Sequence, residues 1–214
     1  MKLKIPGPAY RIETERLVIR CWQPADAALL KEAIDASREH LLPWMPWAKD
    51  EPTDLQTKIE RLRQFRGSFD LGRDFIYGVF DPAEESVLGG TGLHTRIERT
   101  APEFAAREIG YWIHKDHINQ GLATEVSAAL TKVAFEIDQV DRVEIHCEPQ
   151  NTRSAAVPRK LGYQHEATLA RRLRTTEGEP RETMIWTLFA SDYRDSPSAQ
   201  VSLAAYDVIG RPIL

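Results

Sequence analysis

The chain has 214 residues, a formal net charge of −4 and two cysteines. This length fits one domain, and the acidic balance argues against nucleic acid as a partner. Cys21 and Cys147 lie far apart, and no His/Cys cluster has ligand spacing, so neither a metal site nor a disulfide framework is indicated. Residues 1–10 lack the apolar core of a signal peptide, and no segment could span a membrane, so we expect a reduced, cytoplasmic protein.

Strands and helices alternate along the first half of the sequence. The predicted elements are a strand at 17–19, a helix from Asp26, an apolar loop at 41–47, a helix at 53–69 and strands at 75–80 and 87–93. The last two strands are separated by Asp81 and Pro82, which predicts a hairpin.

The second half continues the alternation. It predicts strands at 108–114, 143–147, 163–169 and 183–188, with helices from Gln120 and at 154–161. Seven strands interleaved with helices indicate one mixed α/β domain over 1–195. Residues 196–214 form a tail, which we expect to fold as a short hairpin against the body or against a second subunit.

The segment between 112 and 124 has the features of a phosphate cradle. A strand passes through a glycine turn into a helix, whose first amide N–H groups favour an anion. The candidate cofactor-binding residues are Trp112, Ile113, His114, Asn119, Gln120, Gly121, Leu122, Ala123 and Thr124. By itself, one glycine there is more typical of an ordinary helix start.

Several motifs resemble one known family. Gln120 to Glu125, following Gly110 to Ile113, looks like the acetyl-CoA pyrophosphate loop of the GNAT superfamily. Segments 43–47, 89–93, 151–154 and 161–163 occur in the order typical of its RimJ/RimL branch. The resemblance covers 11–193 and implies a mixed sheet of about seven strands, splayed between strands 4 and 5. It also implies acetyl-CoA as co-substrate and no metal.

The resemblance also implies roles for residues that follow the fifth strand. Asn151 is similar to the asparagine that binds the cofactor arm, and Ser154 to the serine near the departing thiol. Both residue types are also common helix caps. The chain departs from the family at Ile118, where glutamine or arginine is usual, and at Pro158, where many members have a catalytic tyrosine.

The identity of the general base is the part of the mechanism that the sequence determines least. Glu108 is the first candidate because it begins the central strand, although such a residue is more often simply solvated. His146 and Glu148 are alternatives. The base of RimL-like enzymes has no counterpart here, since its place falls on a cluster formed by Arg171, Arg172 and Arg174, to which we assign no role.

Three apolar residues are candidates for the acceptor wall. In the resembled family the loop that contains Trp44, Met45 and Trp47 covers the acceptor, although aromatic residues more often pack in a core. Cys147 is interpreted as a thiol and not as a nucleophile, because direct transfer needs no acyl-enzyme.

These features predict an N-acetyltransferase in which a primary amine attacks acetyl-CoA directly in a ternary complex. The expected acceptor is a protein N-terminus, with a small amine as second choice, and the protein could act as a homodimer. Ile118, Pro158 and the missing base leave open a non-catalytic acyl-CoA-binding module. A nucleotide site at Gly89 to Gly92 is a weaker third interpretation, because that run opens no helix.

Overall fold

In a computed structural model the described residues are 8–95, 105–175 and 178–214. The segment in which no signal peptide is expected falls largely outside this range, since residues 1–7 are not described. Among the described residues, no helix has the length and apolar character needed to cross a bilayer.

Nine strands and five helices make up the described fold. The strands are β1 Arg11–Glu13, β2 Val18–Cys21, β3 Phe75–Phe80, β4 Val87–His94, β5 Ala106–Ile113, β6 Arg142–Cys147, β7 Gln164–Arg174, β8 Pro180–Phe189 and β9 Ala204–Tyr206. The helices are α1 Ala27–Leu41, α2 Leu55–Asp70, α3 Leu122–Glu136, α4 Thr152–Lys160 and α5 Ala190–Tyr193.

All nine strands join one mixed sheet, in the order β7-β8-β6-β5-β4-β3-β2-β1-β9. The α/β class is therefore confirmed, while the expected number of about seven strands is too small. The seven predicted strands correspond to β2 through β8. The two additional strands, β1 and β9, are each only three residues long.

The central pair of strands separates partway along its length. β5 and β6 are parallel and pair from Ala106 with Arg142 as far as Ile109 with Ile145. Beyond that point β5 continues to Ile113 and β6 to Cys147, and these two strands no longer pair with each other. The resulting gap lies between the fourth and fifth of the seven predicted strands, where the splay was expected.

Helices cover both faces of the sheet and create two cores. One face packs against α3, whose apolar residues include the fully buried Val126 and Leu130. The other face packs against α1 and α2, with Leu30, Ile34 and Leu62 in a second cluster. This second face also contains a large cavity, lined by residues of α1 and α2 and of strands β4 and β5.

The tail is part of the same sheet. β9 pairs antiparallel with β1, and Tyr206 forms an isolated bridge with Pro212, so residues 204–214 fold back as a hairpin-like edge. Lys132 of α3 donates to the carbonyls of Ala199 and Val201 at 3.3 and 3.0 Å. These contacts attach the tail to the body of its own chain.

Candidate functional site

The turn before α3 has the geometry of an anion cradle. Gly121 is the N-cap of α3 and has φ 81°, a left-handed conformation that favours glycine. Its carbonyl accepts the first helical bond from Glu125, so the N–H groups of Leu122, Ala123 and Thr124 have no helical acceptor. The helix dipole adds to the attraction of these groups for a negative charge.

A cleft of about 480 Å³ opens along this turn and continues to α4. It is lined by nine of the eleven predicted cofactor residues: Trp112, Ile113, Asn119, Gly121, Leu122, Ala123, Thr124, Asn151 and Ser154. His114 and Gln120 do not line it. The ring of His114 accepts from Asp116 N–H at 3.2 Å, and the Gln120 side chain bonds back to Asp116, so both stabilise the turn itself.

The cleft also has basic residues that the sequence interpretation missed. They are His40 on α1, His117 in the turn, and Arg153 and Lys160 on α4. Burial, together with the nearby charge of Arg153, lowers the pKa of His40. Ile118 also lines the cleft and packs against the main core, so its apolar side chain has a structural place where the family has a polar one.

Two hydroxyl groups meet at the inner end of the cleft. The hydroxyl of Tyr111, on β5, lies 3.0 Å from Ser154 Oγ and 3.1 Å from the Ser154 carbonyl oxygen. Asn151 caps α4 by accepting from Ser154 N–H at 3.1 Å, which fixes the serine at the first turn. Burial raises the pKa of Tyr111 well above its usual value, so this hydroxyl stays protonated.

Pro158 accounts for the position of that tyrosine. A proline inside a helix has no N–H to donate to the carbonyl four residues earlier, which in α4 is that of Ser154. Tyr111 donates to the same carbonyl oxygen and so replaces the missing helical bond. The tyrosine was missed in the sequence because its partner lies 43 positions away.

A second cavity, of about 660 Å³, lies on the α1/α2 face. Trp44 and Met45 line both cavities, whereas Trp47 lines only this one and packs edge-to-face on Trp112 at 6.2 Å. The cavities share Tyr111, Trp112, Asn151 and Ser154 as well. They therefore meet at the hydroxyl pair, beside the gap between β5 and β6.

The loop with the tryptophans is attached to α2 by a buried ion pair. Lys58 Nζ lies 2.5 Å from Glu51 Oε1, and neither side chain is exposed. Arg61, which lines the second cavity, lies 2.7 Å from the same oxygen. Burial alone raises the pKa of Glu51, but the bonds from Lys58, Arg61 and Thr53 outweigh it and hold that pKa below its usual value.

The three candidate bases have different positions. Glu108 lines neither cavity, and its Oε1 lies 4.0 Å from His146 Nδ1. His146 lines the second cavity, where its Nε2 lies 2.7 Å from Glu144. Glu148 also lines it and forms an ion pair with the buried Arg181. Glu108 stays a prediction, and its contact with His146 connects it to the cavity.

The remaining candidates have structural surroundings. Gly89 to Gly92 lie buried within β4, where a Cβ on Gly90 would come 2.5 Å from the Trp112 ring nitrogen. This run allows close packing and offers no phosphate loop. Burial raises the pKa of Cys147, as expected of a thiol rather than a thiolate. Arg171, Arg172 and Arg174 are exposed on β7.

Comparison with known proteins gives matches to acetyltransferases. The family model for the acetyltransferase (GNAT) domain matches residues 16–164. The [ribosomal protein uS5]-alanine N-acetyltransferase of Escherichia coli is 26% identical over 190 residues, which are 87% of this chain and 94% of that protein.

Solved structures share the fold. Ribosomal-protein-S5-alanine acetyltransferase from Vibrio fischeri superposes with a TM-score of 0.72 at 21% identity, covering 86% of this chain and 98% of that one. Mycobacterium smegmatis RimJ, solved in complex with CoA-disulfide, gives a TM-score of 0.71 at 23% identity and 91% coverage of each chain.

Proposed function

Since the chain belongs to the GNAT acetyltransferase family, we propose that it transfers the acetyl group of acetyl-CoA to the N-terminal amine of a protein. The observation that carries this proposal is the meeting of two cavities at one hydroxyl pair. One cavity begins at an anion cradle, and the other is large, aromatic and open to an acceptor. A direct transfer requires both substrates to meet at one point.

The cofactor fits the first cavity by its chemistry. Pyrophosphate needs N–H donors and positive charge, which the first turn of α3 and the basic residues of the cleft supply. The pantetheine arm would then follow the gap beside Gly110 to Ile113, where β5 has lost its pairing to β6 and its backbone groups can bind an extended chain. CoA in the similar RimJ structure supports this choice.

Ser154 is the proposed proton donor to the departing thiolate. It lies where the two cavities meet, and Tyr111 contacts its hydroxyl at 3.0 Å. The serine hydroxyl can give its proton to the sulfur, while the Tyr111 hydroxyl beside it helps to hold the serine in place. Glu108, the base expected from the sequence, lines neither cavity and would need another residue to reach the amine.

Two unpaired polar atoms favour a peptide as the acceptor. Arg181 Nε and Thr183 Oγ1 are buried, line the second cavity and have no hydrogen-bonding partner among the described residues. Buried donors without partners are costly unless a ligand satisfies them. A peptide brings backbone carbonyl groups close to its terminal amine, whereas a simple alkylamine brings none. The uS5-alanine acetyltransferase named above modifies a protein alanine, which agrees with this choice.

The test is release of free CoA thiol with a panel of acceptors. Peptides that begin with alanine or serine, their N-acetylated forms as blocked controls, and the polyamine spermidine should be compared at equal concentrations. We expect release only with the unblocked peptides, and a mass increase of one acetyl group at the first residue. Spermidine as the better acceptor would refute the peptide assignment. Tight acetyl-CoA binding without release would indicate the non-catalytic binding module.

A further inference from the structure

A histidine that lines the second cavity is paired with an aspartate, and the sequence interpretation used neither residue. His94, the last residue of β4, is 9% exposed and lines this cavity. Its Nδ1 lies 2.8 Å from Asp74 Oδ1. A carboxylate on Nδ1 fixes the tautomer in which Nδ1 donates and Nε2 accepts. The described residues offer Nε2 no hydrogen-bonding partner.

Two glycines make room for this ring over β4 and β5, beside the gap in the sheet. Gly92 and Gly110 are paired across β4 and β5, and a side chain at Gly92 would collide with the His94 ring. A Cβ on Gly110 would lie 3.4 Å from His94 Nε2. Gly110 is the first residue of β5 after its pairing with β6 ends at Ile109. The free ring nitrogen therefore faces the place where the thioester is proposed to lie.

The other histidine and the carboxylate of this cavity, His146 and Glu148, already have charged partners. His146 lies between Glu144 at 2.7 Å and Glu108 at 4.0 Å. Glu148 is paired with Arg181. His94 differs because its carboxylate partner occupies only one ring nitrogen and leaves the other facing the cavity. An efficient general base needs an accepting atom within reach of the attacking amine.

We propose, on the basis of the proposed acetyltransferase function, that His94 is the general base and that Asp74 is its positioning residue. The amine lone pair bonds to the thioester carbonyl carbon, and the nitrogen gives a proton to Nε2. The C–S bond then breaks, and the thiolate takes a proton from the Ser154–Tyr111 hydroxyl pair. The imidazolium later releases its proton to water, and water restores the hydroxyl proton. His94 and the hydroxyl pair belong to opposite faces of the sheet, so each serves one side of the gap.

The first experiment compares four histidine variants and one glutamate variant in the thiol-release assay with the alanine peptide. His94→Gln should lower kcat at least about 10²-fold, the usual contribution of a general base, and leave acetyl-CoA affinity by calorimetry within about twofold. His146→Gln and Glu108→Gln should lose less. His165→Gln is the matched control, because His165 is exposed and lines neither cavity. Free imidazole should restore part of the activity of His94→Ala.

Each outcome decides the role of His94. Normal turnover by His94→Gln, or a larger loss in Glu108→Gln, would overturn it. No release by the parent protein with any peptide would instead refute the proposed function, and the base assignment with it.

A second measurement does not require turnover: nitrogen NMR of the histidine side chains should show His94 with its proton on Nδ1. Asp74→Asn should shift that tautomer and lower kcat without changing acetyl-CoA affinity. A proton on Nε2 in the parent protein would also overturn the proposal.

Discussion

Replacing Lys58 by methionine removes the buried cation that attaches the tryptophan loop to α2. The Lys58 and Glu51 side chains are both fully buried and lie 2.5 Å apart. The variant keeps the length and apolar stem of the lysine but leaves a carboxylate enclosed by protein. Arg61 remains 2.7 Å from that carboxylate, and Thr53 donates from its N–H at 2.8 Å and its hydroxyl at 3.0 Å.

The expected loss follows from what remains around Glu51. Removal of one partner from a buried ion pair costs about 3–5 kcal/mol, because the other charge stays buried. Arg61 is 28% exposed and still contacts the carboxylate, so we expect the lower end, about 3 kcal/mol. For a chain of this size, about 3 kcal/mol lowers Tm by roughly 6–12 °C.

Urea unfolding followed by tryptophan fluorescence measures this change in the free energy of unfolding. Arg61→Met is the matched control and should cost less, because its side chain is partly solvated. The double variant Lys58→Met with Glu51→Gln should recover much of the loss, since no charge stays buried. A cost below about 1 kcal/mol for Lys58→Met would refute the argument that this pair holds the loop.

The remaining predictions concern the cofactor and acid stability. Ser154→Ala should lower kcat about 10²-fold and acetyl-CoA affinity much less; unchanged kcat would remove Ser154 from the mechanism. Gly121→Val should weaken acetyl-CoA binding at least tenfold by calorimetry, whereas Gly210→Val, also at a left-handed glycine but outside both cavities, should not. The lowered pKa of Glu51 stabilises the fold above the unfolded value near about 4.3. This stability is lost as pH falls through the lower folded pKa, so acid unfolding should be steeper in the parent than in Glu51→Gln.

Local patterns were sufficient for most of the elements. The seven predicted strands have runs of apolar or alternating residues, and these patterns depend on neighbours along the chain. β1 and β9 have three residues each and pair with each other across the length of the chain. Such short edges are stabilised by non-local pairing, so neither was among the seven predicted strands.

The residues of the site also divide into those that a local pattern predicts and those that depend on contacts between distant parts of the chain. The cradle at Gly121 was predictable because strand, glycine and helix follow one another directly. The pair formed by Tyr111 and Ser154 depends on contact across 43 positions. His94 depends on the register that places Gly92 opposite Gly110, because only the absence of both side chains makes room for its ring. Register cannot be obtained from one strand alone.

The proline in α4 connects a departure from the family to the chemistry. Pro158 stands where many family members have a catalytic tyrosine, and its presence motivated the non-catalytic alternative. The same proline leaves the Ser154 carbonyl without a helical donor, and Tyr111 donates to it at 3.1 Å. A phenol from β5 therefore stands beside the serine at the junction of the two cavities. Because one substitution both removes a hydroxyl from the helix and holds another from the strand, the loss of the family tyrosine is no argument against an enzyme.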